Sequence, residues 1–205
     1  MNLTQIESLV RTDVPGCPEP LIDDAIIQAC RQFAEDSGLL RDTVSVTTVA
    51  GTQGYALTLA TTTWTNEIFG IYAVRNDSRI LRPLAEDPSL RLTRLGNPFY
   101  YTYLSNQLQV YPTPDVADTY FVEAMVRPTY TAGASEVDDR FAPYIDLLSH
   151  WAKFRLHSMA AQAWTDPQAA VYNKQRYDSL SSDAKWYGWR ANTRAAISVQ
   201  QRPFA

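Results

Sequence analysis

The apolar positions change period several times along the chain. Leu3, Ile6, Leu9 and Val10 recur at helical spacing and predict a short helix from about Thr4 to Thr12. Asp13 to Pro20 contains Pro15, Gly16, Pro18 and Pro20 and reads as a loop. Helical spacing then returns, with Pro20 suited to a first turn and Asp23 and Asp24 near the positive end of the helix dipole. Ile22, Ile26, Ala29, Cys30 and Phe33 make one stripe, and Ser37-Gly38 supplies the stop. From Thr43 the period is two. Val44 and Val46 alternate with Ser45 and Thr47, residues 50–54 make a turn, and Tyr55 to Leu59 returns, which predicts a hairpin. Ile68 to Arg75 and Arg79 to Leu84 are two further strands about an Asn76-Asp77-Ser78 turn. Asp87-Pro88 opens a short helix that runs to Leu95 and stops at Gly96.

Three runs rich in aromatic and β-branched residues follow, within Gly96 to Arg127. They are Phe99 to Leu104, Gln107 to Tyr111 and Thr119 to Arg127, split by Ser105-Asn106 and by Pro112 and Pro114. They read as an antiparallel β-meander and bring the strands to about seven. Pro128 to Asp138 has no periodicity. Helix resumes near Phe141, with Pro143 confined to the first turn. Ile145, Leu148, Ala152, Leu156, Met159 and Ala163 carry a stripe to Trp164. Asp166-Pro167 restarts it, and Ala170, Tyr177, Leu180, Ala184 and Tyr187 continue to about Arg190, giving two antiparallel helices. Ala191 to Ala205 has no core pattern and is expected to be an extended arm. The fold class is therefore α+β. Residues 1–41 and 139–190 form a helical bundle, residues 42–128 an inserted antiparallel β-sandwich or barrel-like domain, and residues 191–205 the arm.

A chain of 205 residues with 45% hydrophobic and 20% charged residues buries a real core and is not a disordered chain. The net charge of −4 argues against a general nucleic-acid binder. The charge is uneven: all 22 acidic residues lie at or before Asp183, leaving Lys185, Arg190, Arg194 and Arg202 after it. Met1-Asn2-Leu3-Thr4 lacks the basic region and apolar run of a signal peptide, and no stretch is apolar enough to span a membrane. Cys17 and Cys30 are too few for a disulfide scaffold and are expected as thiols, although spacing alone leaves their pairing open.

Catalytic chemistry finds no foothold in the motifs. His150 and His157 are seven apart on one helix, about 10 Å along its axis, too far to share a metal ion. The carboxylate pairs Asp23-Asp24, Glu35-Asp36 and Asp138-Asp139 point apart as sequence neighbours; capping accounts for the first and last, and Glu35-Asp36 is expected to be solvated. No nucleophile elbow, phosphate loop or dinucleotide fingerprint is present, and neither a cofactor nor a metal is expected. The excess lies in 12 Tyr, 7 Phe and 5 Trp, with 15 Arg against 3 Lys, the residue types that protein interfaces favour. Phe99, Tyr100, Tyr101, Tyr103 and Tyr111 are candidates for a subunit or tail interface. Trp189, Arg190, Arg194, Arg202 and Phe204, with Trp186, are candidate anchors on the arm. A β-sandwich recognition module, binding a glycan or peptide through exposed tyrosines, is the alternative reading.

Gly96-Asn97-Pro98 before an aromatic strand, then Leu108 to Asp115 ending Tyr-Pro-Thr-Pro-Asp, then a strand closing on Arg127-Pro128, resembles the head-to-tail adaptor proteins of tailed bacteriophages. The helix from Leu21 to Ser37, the strands from Thr43 to Leu57 and the C-terminal helical pair extend the likeness over about residues 20 to 190. The resemblance implies a structural virion protein of the neck, made in the host cytoplasm and not an enzyme. It implies a closed ring of about a dozen copies with heterologous contacts. Its partners would be the portal protein, gripped by the helical part and the arm, and tail or nozzle proteins on the β side. Genomic DNA would pass through the lumen without sequence-specific binding, which suits an acidic body that does not grip phosphate.

Overall fold

In a computed structural model, residues 1–59, 65–77, 79–84, 94–130 and 136–192 are described, with side chains as far as Trp186. The chain is mixed α+β, as expected. Helices α1 (Thr4–Arg11) and α2 (Glu19–Ser37) precede seven strands: β1 (Arg41–Thr47), β2 (Gly54–Ala56), β3 (Asn66–Arg75), β4 (Ile80–Pro83), β5 (Tyr100–Leu104), β6 (Gln107–Tyr111) and β7 (Thr119–Pro128). A 3₁₀ turn (Asp139–Tyr144), α3 (Ile145–His157) and α4 (Pro167–Asn192) complete the order.

The helix ends follow their local signals. Pro20 occupies the first turn of α2, and Gly38 closes it in the left-handed region at φ 58°, its N–H donating to the Ala34 carbonyl at 3.0 Å. Asp166 caps α4, its Oδ1 accepting from the amides of Gln168 (2.9 Å) and Ala169 (3.1 Å). Asp138 caps the 3₁₀ turn by accepting from the Arg140 amide, and Pro143 lies inside that turn. α3 ends at His157 instead of reaching Trp164. Ala161 takes φ 58° in the connecting loop, and Met159 and Trp164 turn back onto the core from it.

The strands lie in the order β1-β7-β3-β4-β5-β6-β2. Two expectations from local spacing fail here. β1 and β2 do not pair as a hairpin: β1 pairs with β7 and β2 with β6. β6 and β7 are not consecutive members of a meander either, since β7 pairs with β1 and β3. The sheet is not wholly antiparallel, because β4 and β5 run parallel. The expected hairpins of β3 with β4 and of β5 with β6 are present, the latter turning through Ser105 and Asn106 at φ 51° and 60°. β1 and β2 stand at opposite edges of the sheet, yet only residues 48–53 join them. The sheet therefore curls until its edges approach, and Val44, Tyr55, Leu81, Leu108 and Val122 share one interior. It is a nearly closed barrel. The short helix expected from Asp87-Pro88 falls almost wholly outside the described residues, as does the Gly133 and Ser135 linker.

A second core belongs to the helices, which contribute Ile6, Val10, Ile26, Phe33, Leu148 and Tyr177. The long strands β3 and β7 run through both cores: Val126 and Ile68 pack with the helices, while Val74 and Val122 fill the barrel. α2 and α3 are antiparallel, since Phe33 meets Tyr144 with ring centroids 4.7 Å apart and Asp24 lies 3.8 Å from Arg155. The α3–α4 connection is thus at the far end of the helical part, about 20 Å from the sheet.

Gly70 of β3 lies under Met125 of β7, and a Cβ there would come within 2.7 Å of the Met125 Cε. Gly70→Val should lower stability by about 1–3 kcal/mol, read as a lower urea midpoint. Met125→Ala in the same chain should recover part of the loss, and Gly70→Ala should cost less because the methionine tip can swing aside.

Candidate functional site

The residues that carry the family likeness have structural work. Gly96-Asn97-Pro98 and Pro112-Thr113-Pro114 meet at the barrel end away from the helices. There the Gly96 amide donates to the Thr113 carbonyl at 2.9 Å, and the Phe99 amide to the Tyr111 carbonyl at 2.8 Å. The Gly51 amide donates to the Pro114 carbonyl at 2.9 Å, and the Tyr111–Pro112 bond is cis. Asn76 Nδ2 donates to Asp118 Oδ2 at 2.7 Å, which ties in the β3–β4 turn. Four loops are thereby fastened into one rim. Val49, Ile80, Leu95, Phe99 and Val116 all stand more than half exposed on it or beside it, Ile80 the most at 71%.

The five candidate interface aromatics divide. Phe99 is exposed, with the Arg79 guanidinium 5.4 Å above its ring. Tyr100 and Tyr103 are half-buried, and the Tyr103 hydroxyl donates to the Ile68 carbonyl at 3.2 Å. Tyr101 and Tyr111 are buried. Tyr101 belongs to the barrel core, where burial pushes its phenol pKa up, and the Tyr111 hydroxyl donates to Gln109 Oε1 at 2.6 Å. These two support the surface from beneath. Sequence reasoning missed Val49, Ile80, Leu95 and Val116. The available signal was that Ile80 is out of phase with buried Leu81 and that Val49 and Val116 are apolar residues in turns.

Of the arm candidates, Trp189 and Arg190 lie in α4 beyond the last described side chain, and Arg194, Arg202 and Phe204 lie outside the described residues. Trp186 is half exposed. The Tyr177 hydroxyl donates to Asp36 Oδ2 at 2.8 Å, which sets the middle of α4 beside the end of α2. The last 15 residues of α4 therefore extend about 22 Å beyond that point.

Arg127 joins the two parts of the molecule. It pairs with Glu35 of α2 and, at 2.7 Å, with Glu67 of β3, and Glu67 also receives Arg31 of α2 at 2.9 Å. Glu35 and Asp36 are thus paired, not simply solvated, because the end of α2 packs against the sheet and α4. Burial opposes ionisation of Glu67, but hydrogen bonds from Arg127 and Arg31 outweigh it and hold the carboxyl below its usual range. A second cluster joins buried Asp138 to Arg140 at 2.6 Å, Arg140 to Asp42 at 2.8 Å, and Asn66 to Asp138 at 3.2 Å. These charges serve the junction.

His150 and His157 do not converge: one ring nitrogen meets Asn173 Oδ1 at 2.8 Å and the other the Trp164 carbonyl at 2.9 Å. Cys17 and Cys30 are free and buried, and burial pushes both thiols up. Among the described residues no cluster of His, Cys, Asp or Glu could hold a metal ion, and no helix is long and apolar enough to cross a membrane.

Ionisable groups thus cluster at the junction, and exposed apolar side chains group on the outer rim. The chain belongs to the SU10 adaptor protein family, whose model matches residues 1–202, and its role is that of a structural phage adaptor. A comparison with curated proteins finds no match.

The Asp138 cluster has a pH signature. Burial would raise the Asp138 pKa, but hydrogen bonds from Arg140, through side chain and amide, and from Asn66 hold it below the usual carboxylate range. A lowered carboxylate pKa contributes stability above the unfolded value of about 3.9, lost as pH falls through the folded pKa. Melting temperature should therefore drop on acidification below about pH 4, and Asp138→Asn should flatten that part of the profile while lowering stability at neutral pH.

Proposed function

We propose that this adaptor assembles into a closed ring of about a dozen copies between portal and tail, with genomic DNA passing through the lumen. The helical part and the C-terminal arm dock on the portal, and the barrel rim is offered to the tail proteins or to neighbouring copies. The observation that carries this reading is the barrel end, where four loops are cross-bonded into a fixed rim holding Val49, Ile80, Leu95, Phe99 and Val116 in solvent. Apolar residues grouped on a rigid surface mark a contact with another protein. Family membership over nearly the whole chain supports the same reading.

The arm supplies the other contact. Its candidate anchors Trp189, Arg190, Arg194, Arg202 and Phe204 follow the last acidic residue, Asp183, so the end of the chain is basic on an acidic body. Residues 193–205 could reach about 43 Å when extended, comparable to the length of α4, about 39 Å. That is long enough to meet a partner seated at either end of the helical part. The net charge of −4 suits a conduit, since an acidic chain as a whole does not attract phosphate.

Mixing the purified protein with portal rings of the same phage should give a larger particle by light scattering and an added annulus in micrographs. Deleting Ala191 to Ala205 should weaken loading at least tenfold; equal loading by the truncated chain would refute the docking arm. Phe99→Asp with Ile80→Asp should leave portal loading unchanged and block addition of tail proteins.

A further inference from the structure

The far end of the helical part holds a groove that lies away from the barrel rim. It has a volume of about 550 Å³ and lies in the angle between α3 and α4. Phe154, Ala160, Pro167, Ala170 and Val171 form its apolar walls, and Val171 is 57% exposed. Three of the polar groups beside it, on Thr165, Ser158 and His157, already have partners in the connecting loop or α3. Thr165 Oγ1 donates to the Met159 carbonyl at 2.5 Å and accepts from the Gln162 amide at 3.0 Å. Ser158 Oγ donates to the Phe154 carbonyl at 2.7 Å, and His157 Nδ1 meets the Trp164 carbonyl at 2.9 Å.

Two consequences follow. The groove is preformed, because the loop that shapes it is held by its own hydrogen bonds. It also makes little polar demand on an occupant, so an apolar side chain fits it. Among the described residues, the ionisable ones lining it are His157 and Lys174, with no carboxylate. Lys174 is held by Asp178 in an exposed i,i+4 pair at 2.5 Å, which solvent screens and a better-buried carboxylate could displace. Val171 and Tyr172 are exposed apolar residues out of phase with the α4 stripe of Ala170, Tyr177 and Ala184.

We propose that this groove receives an apolar side chain flanked by a carboxylate, presented by an exposed segment of the ring on which the adaptor seats. The proposal rests on the docking reading above and adds a second contact, independent of the arm. Its chemistry is a preformed apolar socket with a cation at its lip. It adds a contact made by the helices themselves, which fixes the orientation of the helical part.

Val171→Cys carries the test, since the two native thiols are buried and a photo-crosslinker on the new cysteine would label this groove selectively. Mixed with portal rings, the full chain should crosslink to the portal. Val171→Glu and Lys174→Glu should each weaken loading at least tenfold, with an unchanged melting temperature and unchanged size of the free protein. Crosslinking only to another copy of the adaptor, or to nothing, would overturn the proposal, as would loading within twofold of the parent by both variants. The two readings separate: if the groove variants load normally while the chain lacking Ala191 to Ala205 does not, the arm stands and the groove falls. The reverse pattern keeps the groove and removes the arm, and a parent chain that never loads on portals removes both.

Discussion

The β3–β7 pair is the constraint on which the rest of the structure depends. Each strand is ten residues long, and their pairing runs from Asn66 opposite Pro128 to Arg75 opposite Phe121. One end of that ladder is packed with the helices and the other with the barrel. A long antiparallel ladder transmits position as well as stability, because slipping it by one residue would turn every side chain to the wrong face. The barrel is thereby placed relative to the helices without a separate linker. Its two bulges, between Ile68 and Gly70 and between Ile71 and Ala73, absorb the strong local twist, and Tyr72 emerges into solvent, where the Arg41 guanidinium stacks 3.3 Å from its ring centroid.

The charged groups reinforce that junction. Glu67 bridges Arg31 and Arg127, and Glu35 reaches Arg127 from the helical side. Partly exposed pairs of this kind contribute modestly one by one, so their value lies in geometry: planar guanidiniums hold α2 at a set angle on β3 and β7. The apolar surface left over is correspondingly informative. Side chains such as Phe99 and Val171 are exposed on backbone that is tied down by cross-bonded loops or a capped helix, which is how a binding surface avoids ordering costs on association. An adaptor needs such rigid faces more than it needs a pocket.

Several local features were legible in the chain because their causes are local. Gly38 must adopt a left-handed conformation to close α2, Pro20 fits only a first turn, and Asp166 caps the helix that Pro167 begins. The seven strands were likewise visible from their period, as were the helical faces of α2 and α4. The shorter reach of α3 was not, because Met159 and Trp164 stay on the core from a loop and so preserve the apolar spacing of a helix that has already ended.

What the amino-acid order determined by itself was which segments are helical, which are extended, and which of their faces turn inward. Partner choice was decided only in three dimensions. Period-two alternation selects a face and is silent about the neighbouring strand, so β1 and β2 read as a hairpin although each pairs elsewhere. The same limit hid which aromatic residues would stand exposed. Tyr101 and Phe99 are near neighbours of similar character in sequence, but barrel closure buries the first and leaves the second on the rim. Curvature of a sheet is a property of the whole set of pairings, and no single stretch of the chain encodes it.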